Sequence, residues 1–182
     1  MKIEQTPIKD LLVLTPKVFE DDRGYFLESF NSRSFRDAGL YYNFIQDNQS
    51  VSLKNVIRGL HYQKSIPQAK LVRVIAGSIW DVAVDLRKNS PTFGKWFGVE
   101  LTEDNFKQLL VPRGFAHGFS VLSDVAVVSY KCDELYMASA EAGISYMDPT
   151  FKIDWKVTGK PIISEKDGLL PKFEDIVKEI NF

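Results

Sequence analysis

The sequence predicts a single, mainly β domain built as a sandwich or barrel of antiparallel strands. Short runs rich in β-branched and aromatic residues recur along the chain, each bounded by glycine, proline, asparagine or aspartate. Turn signals separate many of these runs by about 8–12 residues, a spacing typical of sandwiches and barrels and unlike an alternation of strands and helices. A length of 182 residues fits one domain with a substantial buried core.

Six of these runs are predicted strands. They cover residues 11–14, 70–75, 80–86, 96–101, 108–111 and 126–130. The third run alternates apolar with small or acidic residues, and a turn containing proline and glycine, residues 90–94, separates it from the fourth. We expect the whole chain, residues 1–182, to form one domain whose barrel covers about residues 20–150.

Two helices are predicted. The first covers residues 31–38, because Asn31 or Ser32 can cap its N-terminus and Gly39 follows its C-terminus. The second covers about residues 171–180 and has apolar residues at the helical spacing i, i+3, i+4 and i+7. These are Phe173, Ile176, Val177 and Ile180. We expect this apolar face to pack on the barrel.

Composition excludes several classes of protein. The 23 basic and 24 acidic residues give a net charge of −1, which excludes a globally basic nucleic-acid-binding protein. A single cysteine, Cys132, excludes an intramolecular disulfide framework, and two histidines cannot form a three-histidine metal site within one chain. Neither a secretory signal nor an apolar run of about 18 residues is present. We therefore expect a cytoplasmic protein without membrane or nucleic-acid partners.

Two polar clusters interrupt the apolar pattern. They are residues 58–63 (RGLHYQ) and 112–119 (PRGFAHGF), and each places a histidine, His61 or His117, just beyond a glycine and beside aromatic residues. A histidine bonded to a backbone carbonyl is the structural alternative for either one. The matching settings, with Arg58 beside one of them, favour a shared functional site instead.

Residues 112–117 fit the pattern P-x-G-x-x-H and resemble the second half-motif of cupins, which implies a jelly-roll barrel. Lys70 and Gly77 have the spacing of the acid and the glycine in the first half-motif. A metal-binding cupin would have a second histidine where Gln63 stands and a carboxylate where Lys70 stands. Because an ammonium group has no lone pair to donate, the resemblance implies a metal-free cupin with an enclosed pocket.

Nine blocks in order along nearly the whole chain carry a more specific resemblance. They are residues 19–28 (FEDDRGYFLE), 46–50 (QDNQS), 58–63 (RGLHYQ), 70–74 (KLVRV), 81–87 (DVAVDLR), 90–94 (SPTFG), 114–119 (GFAHGF), 130–132 (YKC) and 164–167 (SEKD). Together they resemble the dTDP-4-dehydrorhamnose 3,5-epimerase family. The resemblance implies epimerisation of a dTDP-linked 4-keto-6-deoxy sugar at C3 and C5, without metal or cofactor, in the synthesis of dTDP-L-rhamnose.

The resemblance assigns catalytic roles that the chemistry requires. A proton next to the C4 ketone is acidic because the carbanion delocalises as an enolate, so the site needs a base, an acid on the opposite face and positive charge at the oxygen. His61 corresponds to the base, Asp167 to its hydrogen-bond partner and Tyr130 to the opposing acid. Lys70, with His117 nearby, corresponds to the group that stabilises the enolate.

A nucleotide site is also implied by the resemblance. Arg23 and Arg58 correspond to ligands of the diphosphate, Glu28 to a residue that recognises the thymine edge, and Tyr136 to a ring that stacks on the base. Further contacts are implied for Gln46, Asn48, Glu141 and Lys166. The family also implies a homodimer with an exchanged N-terminal segment, in which Arg23, Phe26 and Glu28 serve the partner's site.

Other functions fit the same sequence. One is a single-site epimerase at C3 or C5, or a ketoisomerase, acting on another nucleotide-linked 4-keto-6-deoxy sugar. A displacement of the sugar by about 1 Å decides which proton is reached, so the sequence separates these enzymes poorly. Another is a cupin that binds a nucleotide sugar without turnover. That function predicts a disrupted acid–base pair, whereas His61, Tyr130 and Asp167 are all present.

Overall fold

The computed structural model describes all 182 residues, and most of its regular structure is β-strand. The strands in chain order are β1 (Lys2–Gln5), β2 (Leu12–Thr15), β3 (Val18–Asp21), β4 (Gly24–Leu27), β5 (Gln46–Leu53), β6 (Ile57–Gln63), β7 (Lys70–Ala76), β8 (Ser78–Asp85), β9 (Trp96–Thr102), β10 (Gln108–Val111), β11 (Phe115–Val121), β12 (Val125–Cys132) and β13 (Glu141–Gly143).

Two antiparallel sheets form the body of the molecule. The larger has the strand order β1-β2-β10-β7-β12-β5, and the smaller has the order β13-β6-β11-β8-β9. Strands β3 and β4 pair only with each other and form a separate hairpin. Neighbours in the sheets are mostly distant in sequence, which is how a jelly roll differs from a simple meander. The architecture confirms the predicted antiparallel β fold.

The inner faces of the two sheets enclose one apolar core. It combines Val72 and Val128 from the larger sheet with Ala83 and Phe119 from the smaller. Because successive residues of a strand point to opposite faces, Val82 and its apolar neighbours lie on the outer face of the smaller sheet. There they pack against the C-terminal third of the chain, through residues such as Phe151, Trp155, Phe173 and Ile180.

The six predicted strands are confirmed as β2, β7, β8, β9, β10 and β12, with ends that differ from the predicted ones by at most two residues. Seven further strands were not predicted. Strands β6 and β11 contain the two histidine clusters, and β5 has its polar residues on the inner face. The larger sheet also takes in β1 and β2, which precede residue 20.

Three short helices are present: α1 (Ser32–Asp37), α2 (Glu165–Gly168) and α3 (Phe173–Ile176). Helix α1 confirms the first predicted helix, and the Asn31 side chain accepts hydrogen bonds from two N–H groups of its first turn, as predicted. Helix α2 was not predicted. No helix in the chain has the length and apolar character needed to cross a membrane.

The C-terminal helix is confirmed in position but is shorter than the predicted residues 171–180. Regular helix ends at Ile176, and turns continue the chain to Ile180. Phe173, Ile176 and Ile180 are nevertheless buried against the outer face of the smaller sheet, as expected. The apolar spacing therefore identified the contact face correctly, while the hydrogen bonds past the first turn alternate between i+3 and i+4 spacing.

Candidate active site

A cavity of about 530 Å³ opens between the two sheets. The larger sheet contributes Ser50, Lys70 and Tyr130 to its lining, and the smaller sheet contributes Arg58, His61, His117 and Glu141. Asp167 and Lys166 reach it from α2. An adjoining cavity of about 280 Å³ adds Gln46, Asn48, Gln63, Gln68 and Tyr136. We call the two cavities together the chamber; it holds side chains from both sheets.

His61 and Asp167 form a hydrogen-bonded pair at the chamber wall. The imidazole Nε2 lies 2.6 Å from Asp167 Oδ1, across 106 residues of sequence. Asp167 is 4% exposed, and its other oxygen accepts the N–H of Gly59 at 3.2 Å. Burial raises the pKa of the Asp167 carboxyl, but the bonds from His61, Gly59 and Ser164 outweigh that effect and lower it. A carboxylate bonded to Nε2 leaves Nδ1 as the basic nitrogen of His61.

Helix α2 positions Asp167 for this contact. The Ser164 hydroxyl caps the helix by accepting the N–H of Asp167 at 3.1 Å. Strand β6 positions His61 by pairing with β11 and β13. The pair therefore depends on one strand and one helical turn that the fold brings together.

His117 forms a second histidine–carboxylate pair. His117 lies directly opposite His61 in the β6–β11 register, and its Nε2 lies 2.7 Å from Asp81 Oδ1. Asp81 is fully buried, and its second oxygen has no hydrogen-bond partner. Asp81 was assigned no role from the sequence, although a carboxylate inside the apolar run of β8 is a signal that something must pair with it.

Lys70 and Tyr130 face the chamber from the larger sheet. Lys70 begins β7 opposite Cys132, and Tyr130 lies on β12 between its cross-strand partners on β5 and β7. Burial lowers the pKa of the Lys70 ammonium, and the nearby Cys132, Asp81 and Glu141 offset this only in part. Burial raises the pKa of the Tyr130 phenol. Tyr130 is therefore protonated at neutral pH and able to donate a proton.

The outer end of the chamber is lined by a polar network. The Tyr136 hydroxyl donates to Glu141 Oε2 at 2.6 Å, and Lys166 pairs with the same carboxylate. The Arg58 guanidinium is oriented by a hydrogen bond, because its Nε donates to the buried Ser52 hydroxyl at 2.9 Å. Ser52 was not predicted as part of the site.

Three predicted binding residues lie outside the chamber. The hairpin β3–β4 carries Arg23, which pairs with Asp21 at 2.6 Å and has a side chain 89% exposed. Phe26 is 69% exposed, and Glu28 accepts a hydrogen bond from Asn31. Within one chain the structure therefore does not bring Arg23, Phe26 and Glu28 to the other predicted residues.

The positions that would hold a metal in a related barrel have other partners here. Gln63 donates from its amide to Ile66 O at 2.8 Å and accepts from Met137 N at 2.7 Å. Lys70 places an amine in the chamber where a metal-binding barrel has a carboxylate. No group of three His, Cys, Asp or Glu side chains lies close enough together to hold a metal ion.

The comparisons with known proteins agree with one another. The family model described as dTDP-4-dehydrorhamnose 3,5-epimerase matches residues 5–175. A dTDP-4-dehydrorhamnose 3,5-epimerase from Methanothermobacter thermautotrophicus is 50% identical over 90% of this chain and 89% of its own length.

Two solved structures are also closely similar to this chain. An epimerase of the same name from Elizabethkingia anophelis is 52% identical, with a TM-score of 0.91, over 96% of this chain and 97% of that one. The enzyme from Legionella pneumophila, solved in complex with dTDP-4-keto-L-rhamnose, is 44% identical, with a TM-score of 0.95, over 98% and 96%.

Proposed function

Since the chain belongs to the dTDP-4-dehydrorhamnose 3,5-epimerase family, we propose that it converts dTDP-4-dehydro-6-deoxy-D-glucose into dTDP-4-dehydro-L-rhamnose. The observation that carries this proposal is that His61 and Tyr130, the proposed base and acid, lie on opposite walls of one chamber. The His61–Asp167 pair belongs to the smaller sheet and α2, whereas Tyr130 belongs to the larger sheet. A sugar ring between the sheets meets the base on one face and the acid on the other.

The chemistry of epimerisation requires this arrangement. Removing a proton next to the C4 ketone gives an enolate, and returning a proton to the other face of the same carbon inverts it. Both C3 and C5 flank the ketone, so one base, one acid and one site for the enolate oxygen serve both carbons. Each inversion leaves the base protonated and the acid deprotonated, so both exchange protons with solvent before the second inversion. The cycle needs no oxidant or reductant.

His61 is the proposed base. Its Nε2–H donates to the buried Asp167 carboxylate, which fixes the tautomer and stabilises the imidazolium that forms when Nδ1 takes the proton. The side chain is about one-third exposed, so the ring is accessible from the chamber. Tyr130 then supplies a proton from the opposite wall.

Lys70 and His117 are the proposed partners of the enolate oxygen. Both line the chamber, and the Lys70 amine supplies the donors that a developing negative charge attracts, with His117 held beside it by Asp81. Asp81 supports them, because it is hydrogen-bonded to His117 and its negative charge favours the protonated form of Lys70. A buried carboxylate with one unpartnered oxygen has a high desolvation cost, which the hydrogen bond to His117 and the attraction of the Lys70 ammonium offset.

The outer end of the chamber is the proposed nucleotide site. Tyr136 offers a ring for stacking on thymine, and Arg58 and Lys166 offer positive charge to the diphosphate. The other proposed contacts from this chain are Gln46, Asn48 and Glu141.

A homodimer completes the proposed site. Arg23, Phe26 and Glu28 would come from the exposed hairpin region of the partner, which is why they lie away from the chamber of their own chain. A cytoplasmic location and a role in making cell-surface polysaccharide remain part of this proposal.

Proton NMR of dTDP-4-dehydro-6-deoxy-D-glucose incubated with the protein in D₂O tests the reaction. We expect deuterium at both C3 and C5, together with the product of L configuration. Deuterium at one carbon only would identify a single-site epimerase, and rearrangement without inversion a ketoisomerase. No exchange despite measurable binding of dTDP would contradict the catalytic proposal and favour a binding module.

A further inference from the structure

The segment of residues 134–137, which carries Tyr136, is held by glutamine side chains. It forms no helix or strand. Each of its four residues nevertheless bonds a glutamine amide through its main chain. The main-chain oxygens of Glu134 and Leu135 accept hydrogen bonds from the side-chain amides of Gln68 (2.8 Å) and Gln63 (3.3 Å). The main-chain N–H groups of Tyr136 and Met137 donate to the side-chain oxygens of Gln46 (2.8 Å) and Gln63 (2.7 Å). The glutamine side chains thus provide the hydrogen-bond partners that a neighbouring strand would provide for main-chain N–H and C=O groups.

Gln63 is the central member of this set. It is 4% exposed and ends β6, two residues after His61. Its amide donates to Ile66 O at 2.8 Å as well as to Leu135 O, and it accepts from Met137 N. One side chain therefore ties the loop after β6 to both sides of Tyr136.

We infer that Gln63 is a positioning residue for nucleoside recognition, acting through the backbone on either side of Tyr136. The inference rests on the proposed function, because it needs Tyr136 to stack on the base. It also accounts for the glutamine at the position where a metal-binding barrel has a ligand. The Gln63 side chain lines the chamber, but its hydrogen bonds hold the segment of residues 134–137.

The positions of the proposed proton-transfer residues do not depend on Gln63. Asp167 holds His61 from α2, and cross-strand pairing places Lys70 and Tyr130. Loss of the Gln63 amide therefore disturbs binding of the nucleoside and leaves the proton-transfer residues in place.

Gln63→Leu tests the inference, because leucine retains much of the bulk and removes every hydrogen bond. We expect the Kd for dTDP, measured by calorimetry, to rise about tenfold. The KM for the dTDP-sugar should rise by a similar factor, with kcat within about twofold of wild type. A fall in kcat at unchanged KM would overturn the inference, as would an unchanged Kd.

A double-mutant cycle with Tyr136→Ala separates positioning from general destabilisation. If Gln63 acts through Tyr136, Gln63→Leu adds little to the loss of dTDP affinity already caused by Tyr136→Ala. Full additivity of the two losses would overturn the inference. Failure of the wild-type protein to bind dTDP would instead contradict the proposed function.

Asn105→Leu is the matched control. The Asn105 side chain also bonds three main-chain groups of a loop, at Glu100 O, Thr102 N and Lys107 N, but that loop lies between β9 and β10 and does not line the chamber. The Asn105→Leu variant should have lower thermal stability and an unchanged Kd for dTDP.

If Gln63→Leu does not fold, Gln68→Leu provides a second test. It removes only the bond to Glu134 O and should raise the Kd for dTDP about threefold. An unchanged Kd in that variant would count against the inference.

Discussion

Two histidine–carboxylate pairs of the same geometry differ in how far the solvent reaches them. His61 is about one-third exposed beside Asp167, whereas His117 and Asp81 are both buried. An accessible imidazole can meet a substrate carbon and exchange its proton, which suits a base. A buried imidazole tied to a buried carboxylate is a fixed electrostatic group. The same residue pair is therefore suited to two different roles, set by burial alone.

His61→Ala and Tyr130→Phe should each abolish most turnover while retaining affinity for dTDP. The first removes the base and the second removes the proton donor, and each group is worth about 10²- to 10⁴-fold in rate. The nucleotide contacts come from other residues, so the Kd for dTDP should stay within about threefold of wild type. Steady-state kinetics and calorimetry measure the two quantities. Near-normal activity of His61→Ala would contradict the assignment of the base.

The protonation of Lys70 should set the alkaline limit of activity. Burial lowers the pKa of its ammonium below the ordinary 10.5, so the positive charge is lost at a lower pH than that of an exposed lysine. The rate should therefore fall on the alkaline side at a pH below 10.5. The Tyr130 phenol has a raised pKa and loses its proton only at higher pH.

Variants of Lys70 check this assignment in a pH–rate profile. Lys70→Met should lose about 2.7–4 kcal/mol of transition-state stabilisation at pH values below the alkaline limb, and the difference from wild type should shrink above it. Lys70→Arg keeps its charge at all accessible pH values, so the residual activity of that variant should not fall where the wild type does. An alkaline limb at the same pH in Lys70→Arg would assign it to another group.

Strand β5 contributes residues to the chamber but was not among the predicted strands. Its inward positions are Gln46, Asn48, Ser50 and Ser52, and its outward positions include the exposed Val51 and Leu53. Asp47 and Gln49 are also outward, so the first half of the strand has no apolar residue and the second half has its apolar residues on the outer face. The inner face is polar because it lines the chamber instead of the apolar core. Strands that are buried on both faces, such as β8, were predicted because apolar residues dominate them.

The loop between β8 and β9 should depend on Asp85. This carboxylate is fully buried and accepts from Arg87, from the Ser90 hydroxyl at 2.6 Å and from the Thr92 hydroxyl at 2.7 Å. Burial raises the pKa of Asp85, but these hydrogen bonds outweigh it and hold the pKa below 3.8. Asp85→Asn should lower the free energy of unfolding by about 1.5–3 kcal/mol.

The pH dependence of that loss follows from the lowered pKa. A group with a depressed pKa stabilises the folded state above its unfolded pKa, and this contribution disappears as the pH falls through the folded value. Urea unfolding should show the full difference between wild type and Asp85→Asn at neutral pH and a shrinking one below about pH 4. Asp124→Asn, at an exposed pair with Lys54, should cost less than about 1 kcal/mol. Equal losses at all pH values would contradict this account.

Across the whole molecule, the residues with chemistry are contributed by elements far apart in the chain. The family resemblance selected His61, Lys70, Tyr130 and Asp167, and the fold places all four at one chamber. Spacing alone did not select Asp81 or Gln63, because their importance lies in contacts across 36 and 74 residues of sequence. Residue types predict chemistry, whereas these supporting contacts exist only once the sheets are assembled.

The exposed β3–β4 hairpin carries predicted binding residues that do not reach the chamber of their own chain. Phe19, Tyr25 and Phe26 are more than half exposed, an unusual concentration of aromatic surface on a two-stranded hairpin. If the hairpin serves a second copy of the chain, Arg23 and His61 of one chain belong to different active sites. Two inactive variants should then restore activity together.

Co-expression of an Arg23→Ala, Phe26→Ala double variant with His61→Ala makes the test decisive. In a mixed dimer, the first chain keeps its own His61 and receives an intact hairpin from its partner, so one of the two sites is wild type. Random pairing then gives about a quarter of wild-type activity, although each variant alone is nearly inactive. If the hairpin served its own chain, neither site of the mixed dimer would be intact, and the mixture would show no more activity than the sum of the separate variants. Wild type co-expressed with His61→Ala, which should give about half activity in either case, calibrates the mixing.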